Sequence, residues 1–206
     1  MDPKFIKKLF DLYLGWIEEW YNKKSNQIQA NNTFLELIFN LHQLNYLLWN
    51  EEDKVRRTDL DGKTIVSMKR GIDRLNQQRN DTIERIDEWL LNNYYYHLID
   101  QDLPIRTETP GSVFDRLSVL ALKIYHMGKQ TERGDVDQSH IDACEKKLGI
   151  LQSQQKDLQR ALSEMVDELN AGKIRMKVYR QFKMYNDPSL NPQLYGSIKP
   201  TEESKK

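Results

Sequence analysis

The chain has 206 residues, with 31 Lys and Arg offset by 31 Asp and Glu, and 38% hydrophobic side chains against 30% charged ones. That length suits one domain with a buried core, and the cancelled charge supplies no global field for nucleic acid. Nine Gly and six Pro leave room for long helices, while a single cysteine, Cys144, excludes an internal disulfide and a multi-cysteine zinc site and fits the reducing cytoplasm.

Residues 4–23 set Phe5 or Ile6, Leu9, Tyr13, Trp16 or Ile17, and Trp20 on one face of a first helix. Lys7, Lys8, Asp11, Glu18 and Glu19 interrupt the stretch, so it reads neither as a signal peptide nor as a transmembrane segment. With Lys4, the same stripe would suit a membrane surface, but a bundle helix requires it equally and is the reading adopted. Asn31, Asn32 or Thr33 caps a second helix over roughly 33–57, a polar turn follows at 58–62, and a third helix covers about 63–95. Next comes a loop, closed by Thr109 as N-cap and Pro110 at the first position of a fourth helix over about 110–128, which "GKQTERGD" breaks.

From 136 to 171, Ile141, Cys144, Leu148, Leu151, Gln155, Leu158, Leu162, Met165 and Leu169 alternate spacings of three and four, a sustained heptad. At ~1.5 Å per residue this helix is about 50 Å long and is predicted to be the spine of the bundle. Its stripe would equally serve a homodimer or a protein partner. Gly172 is the predicted terminator. Beyond it Lys173, Arg175, Lys177, Arg180 and Lys183 mingle with Tyr179, Phe182 and Tyr185 in an arm expected to cross the bundle. A solvated basic face explains this arm better than an RNA contact, given the balanced charge of the chain. Residues 186–206 read as an extended, partly disordered tail. The expected fold is therefore all-α: an antiparallel bundle of about five helices in one domain over 1–185, with one long heptad helix and a basic, aromatic C-terminal arm.

Two stripes contain polar exceptions. At 100° per residue the second helix turns Phe34, Leu37, Ile38, Leu41, Leu44, Leu48 and Val55 inward together with Asn45 and Glu52. Arg56, Trp49 and His42 sit further round. The third helix turns Ile65, Met68, Ile72, Leu75, Ile83, Ile86 and Leu90 inward together with Asn76 and Arg79, flanked by Lys69 and Asn80. A short connection makes these helices antiparallel neighbours, so positions summing to about 120 share a level: Glu52 with Lys69, Asn45 with Asn76, His42 with Arg79. An unpaired buried charge costs several kcal/mol, so these residues are predicted to join in a hydrogen-bonded network.

Three roles fit such a network: fixing helix register, binding an anionic or sugar-phosphate-like small molecule, or catalysis with His42 or Glu52 as acid or base. For an anion, Lys69, Arg70, Arg79, Arg116 and Lys123 offer positive charge, and the helix start at Thr109, Pro110, Gly111 and Ser112 offers backbone N–H groups. Solvent access to Arg79 separates the roles. An accessible guanidinium means recognition and a sealed one means register.

A di-metal bundle needs inward Glu and Glu-x-x-His repeats. Asp137 and His140 come nearest, and His42, His97 and His126 lack one, so no metal or cofactor is predicted. His126 lies opposite the apolar arc of Val113, Leu117, Leu120, Ile124 and Met127 and reads as partly exposed. Cys144 reads as a small buried hydrophobe with no histidine beside it. Phosphate-loop, dinucleotide and nucleophile-elbow glycine motifs are missing.

The runs "LHQLNYLLWNEEDKVRR", "KRGIDRLNQQRNDTIERIDEWL" and "ETPGSVFDRLSVLALKIYHM", in that order, resemble an uncharacterised bacterial family, domain-of-unknown-function family 4254, over roughly 33–195. The motifs share His42, Asn45, Trp49, Glu52, Asp53, Arg56, Lys69, Arg70, Asp73, Asn76, Arg79, Asn80, Asp115 and Arg116, a set that overlaps the inward polar residues. Asp115, Arg116, Leu117, Ser118, Leu120 and Lys123 are also similar to a short pattern in uncharacterised bacterial proteins that accompany surface-glycan glycosyltransferases. That resemblance implies a place beside lipopolysaccharide or capsule assembly, without implying sugar transfer by this chain.

Overall fold

The computed structural model describes residues 1–22, 33–184 and 187–195. Its first helix, α1 (Pro3–Tyr21), starts where the Asp2 carboxylate accepts the Lys4 N–H at 2.8 Å. Ile6, Leu9, Tyr13 and Ile17 of its apolar face are fully buried. Helix α2 (Thr33–Val55) has Thr33 as its first helical residue; the proposed caps Asn31 and Asn32 lie outside the described residues. Asp61 caps α3 (Gly62–Leu90), accepting from the N–H groups of Lys63 and Thr64.

The third helix was expected to stay α-helical to about 95. Instead it widens into a π turn over Leu91–Tyr95 and tightens into a 3-10 turn over Tyr96–Leu98. This rephasing brings Tyr95 and Leu98 into the core and leaves Tyr94 and Tyr96 outside. Helix α4 (Pro110–Thr131) ends inside "GKQTERGD", as expected, though it runs past Gly128 before it does so. One interior glycine costs only about 1 kcal/mol against alanine, which the packing of α4 offsets. Asp137 caps α5 (Gln138–Asn170) by accepting the His140 N–H. Gly172, at φ +62°, ends it, with the Lys173 N–H on the Glu168 carbonyl and the Gly172 N–H on that of Leu169. Within the tail, expected to be extended, α6 (Pro192–Tyr195) forms one turn.

The spine is α4, not α5. Nearly every residue from Pro110 to Leu122 is buried, and α4 packs against α1, α2, α3 and α5. Along α5, Leu162, Val166 and Leu169 enter the core, whereas Ile141, Leu148 and Leu151 are half-buried and Ile150 is exposed. The reason is length. A 33-residue helix outruns its 22-residue neighbour, so part of its stripe has less to pack against.

Contacts between α2 and α4 advance together along both helices, from His42 with Ser118 to Trp49 with His126, so the two run parallel. Accordingly the α2–α3 and α4–α5 turns lie at the same end of the molecule. The arm straps across α3: Ile174 and Met176 are buried, Arg175 donates to the Leu103 and Ile99 carbonyls, and Arg180 pairs with Glu84 and Glu88. Two of its five basic residues are thereby committed within the chain. Tyr185 lies outside the described residues. An isolated parallel bridge joins Ile105 to Arg175, and no described helix is long and apolar enough to cross a membrane.

Candidate functional site

Four helices meet around Asp115. Its carboxylate is grasped by Arg79 through two parallel bonds, Nε to Oδ1 at 2.8 Å and Nη2 to Oδ2 at 2.7 Å. The Asn45 amide adds two more donations, to Asp115 Oδ1 and to Ser118 Oγ, each 2.9 Å. Ser118 Oγ lies 2.7 Å from His42 Nδ1, and His42 Nε2 lies 3.0 Å from the Tyr13 carbonyl. A carbonyl only accepts, so Nε2 carries the imidazole proton and Nδ1 accepts from the serine hydroxyl. The chain of donation therefore starts at two points, Arg79 and Asn45, and ends on Asp115 and the α1 backbone.

His42 is sealed, at 0% exposure, and stacks on the Tyr13 ring at 4.3 Å. Burial drives its pKa down to about 3, against the opposing pull of the Tyr13 carbonyl. It is neutral at pH 7 and has no route to a substrate. Burial, reinforced by the Asp115 charge, also holds the Tyr13 phenol well above its ordinary value.

Outside this sealed chain a cavity of about 350 Å³ opens between α2, α3 and α4. Asn45, Arg79 and Asn76 line its inner part, Leu48, Val119 and Leu122 give it an apolar wall, and Trp49, Glu52, Asp53 and Arg56 complete its lining. The Arg79 side chain is 29% exposed, and its Nη1 has no partner among the described residues, nor has the Asn76 amide. Trp49 is braced from behind by His126, parallel to it at 4.7 Å, and His126 in turn lies 3.0 Å from the Tyr21 hydroxyl. The Trp49 indole N–H is buried without an acceptor among the described residues. Burial lowers the pKa of His126, partly countered by Asp53.

At the start of α4 the anion site expected from the free N–H groups is already filled from within the protein. Asp87 of α3, 3% exposed, accepts the Gly111 N–H at 2.7 Å, while Thr109 and Ser112 cap each other reciprocally. Burial pushes the Asp87 carboxyl up to about 7, against the Thr109 and Gly111 hydrogen bonds that lower it. The helices approach so closely that a Cβ on Gly111 would lie 2.8 Å from both Asp87 Oδ1 and the Ile83 carbonyl oxygen.

The other expected residues separate into groups. Glu52 meets Lys69 at 3.4 Å, in agreement with the summed-position register, but its side chain is 34% exposed and sits at the rim rather than in the core, bonded also to Arg56. His42 does not meet Arg79, because Ser118 of α4 takes its place beside the ring. Asp73 and Asn80 make no hydrogen bond among the described residues, and Arg70 lines a separate, open depression of about 960 Å³ with Lys63 and Arg74 at the start of α3. Arg116 pairs with Glu108. Thus three of the five cations expected to attract an anion, Lys69, Arg79 and Arg116, are matched by carboxylates. Cys144 is buried as expected, yet His140, one helical turn before it, brings Nε2 within 3.4 Å of the sulfur.

Ser118, the Tyr13 carbonyl, Asp87 and the His126 brace were missed as parts of the site. A glycine just inside a proline-started helix is the one signal that could have flagged the Asp87 contact, since such a position gains nothing from glycine unless another group approaches closely.

A family model described as "Protein of unknown function (DUF4254)" matches residues 35–178. The chain belongs to this family, whose matched region spans every element that builds the cavity. Comparison with curated proteins and with solved structures gives no match.

Proposed function

We propose that the chain is a non-catalytic cytoplasmic binding module whose cavity beside Arg79 takes a small, saccharide-like ligand. The observation that carries this reading is the solvent-reaching Arg79 guanidinium: Asp115 fixes its plane by two bonds and leaves Nη1 without a partner among the described residues. A rigid donor of this kind beside the unpaired Asn76 amide and the braced Trp49 ring is suited to hydroxyl-rich ligands, which need oriented polar partners and an apolar wall together. Around the cavity Arg56, Lys69 and Arg79 are offset by Glu52, Asp53 and Asp115. That balance favours a neutral ring over the strongly anionic group anticipated from composition of the motifs alone. The similarity of the Asp115 to Lys123 pattern to proteins accompanying glycosyltransferases supports a bacterial surface-glycan setting.

Catalysis through His42 is disfavoured, because the neutral ring is sealed and both of its nitrogens are already engaged, by Ser118 and by the Tyr13 carbonyl. Binding is tested by titrating the chain with neutral oligosaccharides on a glycan array and by calorimetry. Saturable binding that Asn76→Ala weakens is the expected result. Failure of the array to detect any saccharide would leave the polar residues with a purely structural task.

A second reading, self-association along α5, is favoured by its half-buried stripe and exposed Ile150. It expects a concentration-dependent mass in light scattering that Leu151→Glu abolishes.

A further inference from the structure

On the other side of Arg79 lies a second cleft, of about 480 Å³, between α4 and α5. Arg79 and Val119 line both clefts, so the two meet at the guanidinium. We propose that this second cleft is the subsite for the anionic group, carboxylate or phosphate, of an acidic glycan whose neutral sugar occupies the first. This rests on the binding reading above and extends it to the class of ligand.

The two clefts differ in charge, and the difference can be followed residue by residue. In the second cleft Asp115 is taken by Arg79, Arg116 is held by both oxygens of Glu108 at 2.6 and 2.7 Å, and Asp157 faces Arg160 at 3.0 Å. Lys123 projects there with no ion-pair partner among the described residues. Hence the first cavity is balanced while the second retains one uncompensated positive charge, with Gln154 beside it as a polar neighbour. One excess charge selects a ligand with isolated acidic groups over a polyanion such as nucleic acid, whose affinity grows with many phosphate contacts. The Arg116–Glu108 and Asp157–Arg160 pairs are both solvent-exposed and hold their partners weakly, so either can open as a ligand enters.

Geometry argues for a single extended ligand and not two independent ones. Each cleft is near the lower end of the usual ~300–1,000 Å³ range for small-molecule sites, and Arg79 and Val119 border both, so the two clefts adjoin. A chain of sugars lying across Val119 would place a ring against Trp49 and the acidic substituent near Lys123.

The test is an array of matched oligosaccharides, each in a neutral, a uronic-acid-bearing and a phosphate-bearing form, probed with the wild-type chain and with Lys123→Gln. Lys123 is exposed, so the variant is expected to fold. The proposal expects one acidic form to be preferred by about two- to fivefold over its neutral counterpart, as an exposed ion pair allows. High salt should erase that preference, as should Lys123→Gln, while neutral binding stays unchanged. Whether the uronate or the phosphate form shows the preference identifies the acid. Equal binding of neutral and acidic forms, or a preference that survives in Lys123→Gln, overturns the anionic subsite and leaves the first cavity standing. Absence of binding to every form by the wild-type chain overturns both readings.

Discussion

Asp87 and Gly111 stand so close, carboxylate oxygen to backbone N–H at 2.7 Å, that one helix supplies the cap of another. Adding a methyl group at residue 111 would force α3 and α4 apart, since both atoms at 2.8 Å belong to groups with little freedom to retreat. Gly111→Ala is therefore expected to lose about 1–3 kcal/mol, the usual cost of overpacking. Urea denaturation measures this as a lower midpoint at constant slope, and an unchanged midpoint would mean that the contact is slack.

The stability of the protein should depend on pH through Asp87 on one side and two histidines, His42 and His126, on the other. Asp87 has its folded pKa raised from 3.8 to about 7. Its contribution is therefore fully present below pH 3.8 and is lost as pH rises through 7. His42 has its folded pKa lowered from 6.5 to about 3, so its contribution is present above pH 6.5 and is lost as pH falls toward 3. Between about pH 4 and 6.5 the two slopes oppose each other, one proton taken up against one released. His126, whose pKa burial also lowers, adds to the loss on acidification, so thermal melts across this range should fall only gently with falling pH for the wild-type chain. With Asp87→Asn, which keeps an acceptor for Gly111, stability should fall more steeply on acidification and expose the histidines; a profile no steeper than that of the wild type would contradict the assignment.

Removing one partner of the Arg79–Asp115 pair strands a buried carboxylate, which is 7% exposed. Arg79→Leu is expected to cost about 3 kcal/mol, toward the lower end for such pairs because the guanidinium reaches solvent. Adding Asp115→Leu in the same chain should restore much of that loss. A double-mutant cycle by chemical denaturation reads this coupling, and strict additivity would show that the two residues act independently.

How much of this was legible beforehand differs from residue to residue. Helical periodicity placed Asn45 and Arg79 on inward stripes, and summed positions set Glu52 beside Lys69, because both depend on local geometry and a short turn. Neither principle reaches α4. Asp115 entered through a motif resemblance alone, and Ser118 displaced Arg79 from beside His42 because a third helix, remote in sequence, supplies a nearer partner. The α5 heptad was legible as a pattern but not as a position. Its role as spine passed to α4, since burial depends on how many neighbours surround a helix, which periodicity does not encode.

Trp49 offers a way to divide stability from recognition. Its buried N–H has no acceptor among the described residues, and an unmade hydrogen bond of this kind costs about 1–3 kcal/mol. Trp49→Phe keeps a ring against His126 and removes that donor. The free protein should then be as stable as the wild type or more so in a thermal melt, while saccharide binding declines. A marked loss of stability would show that the indole serves packing and nothing else.

His42 and Ser118 are separated by 76 positions, Asn45 and Asp115 by 70, and Arg79 and Asp115 by 36. No hairpin formed early in folding contains these bonds, which await the docking of α4 upon both earlier elements and pay for long loop closures before they form. Their loss should therefore accelerate unfolding while barely slowing refolding. The polar centre acts as a late latch: it adds little to finding the fold and much to how long the finished fold persists.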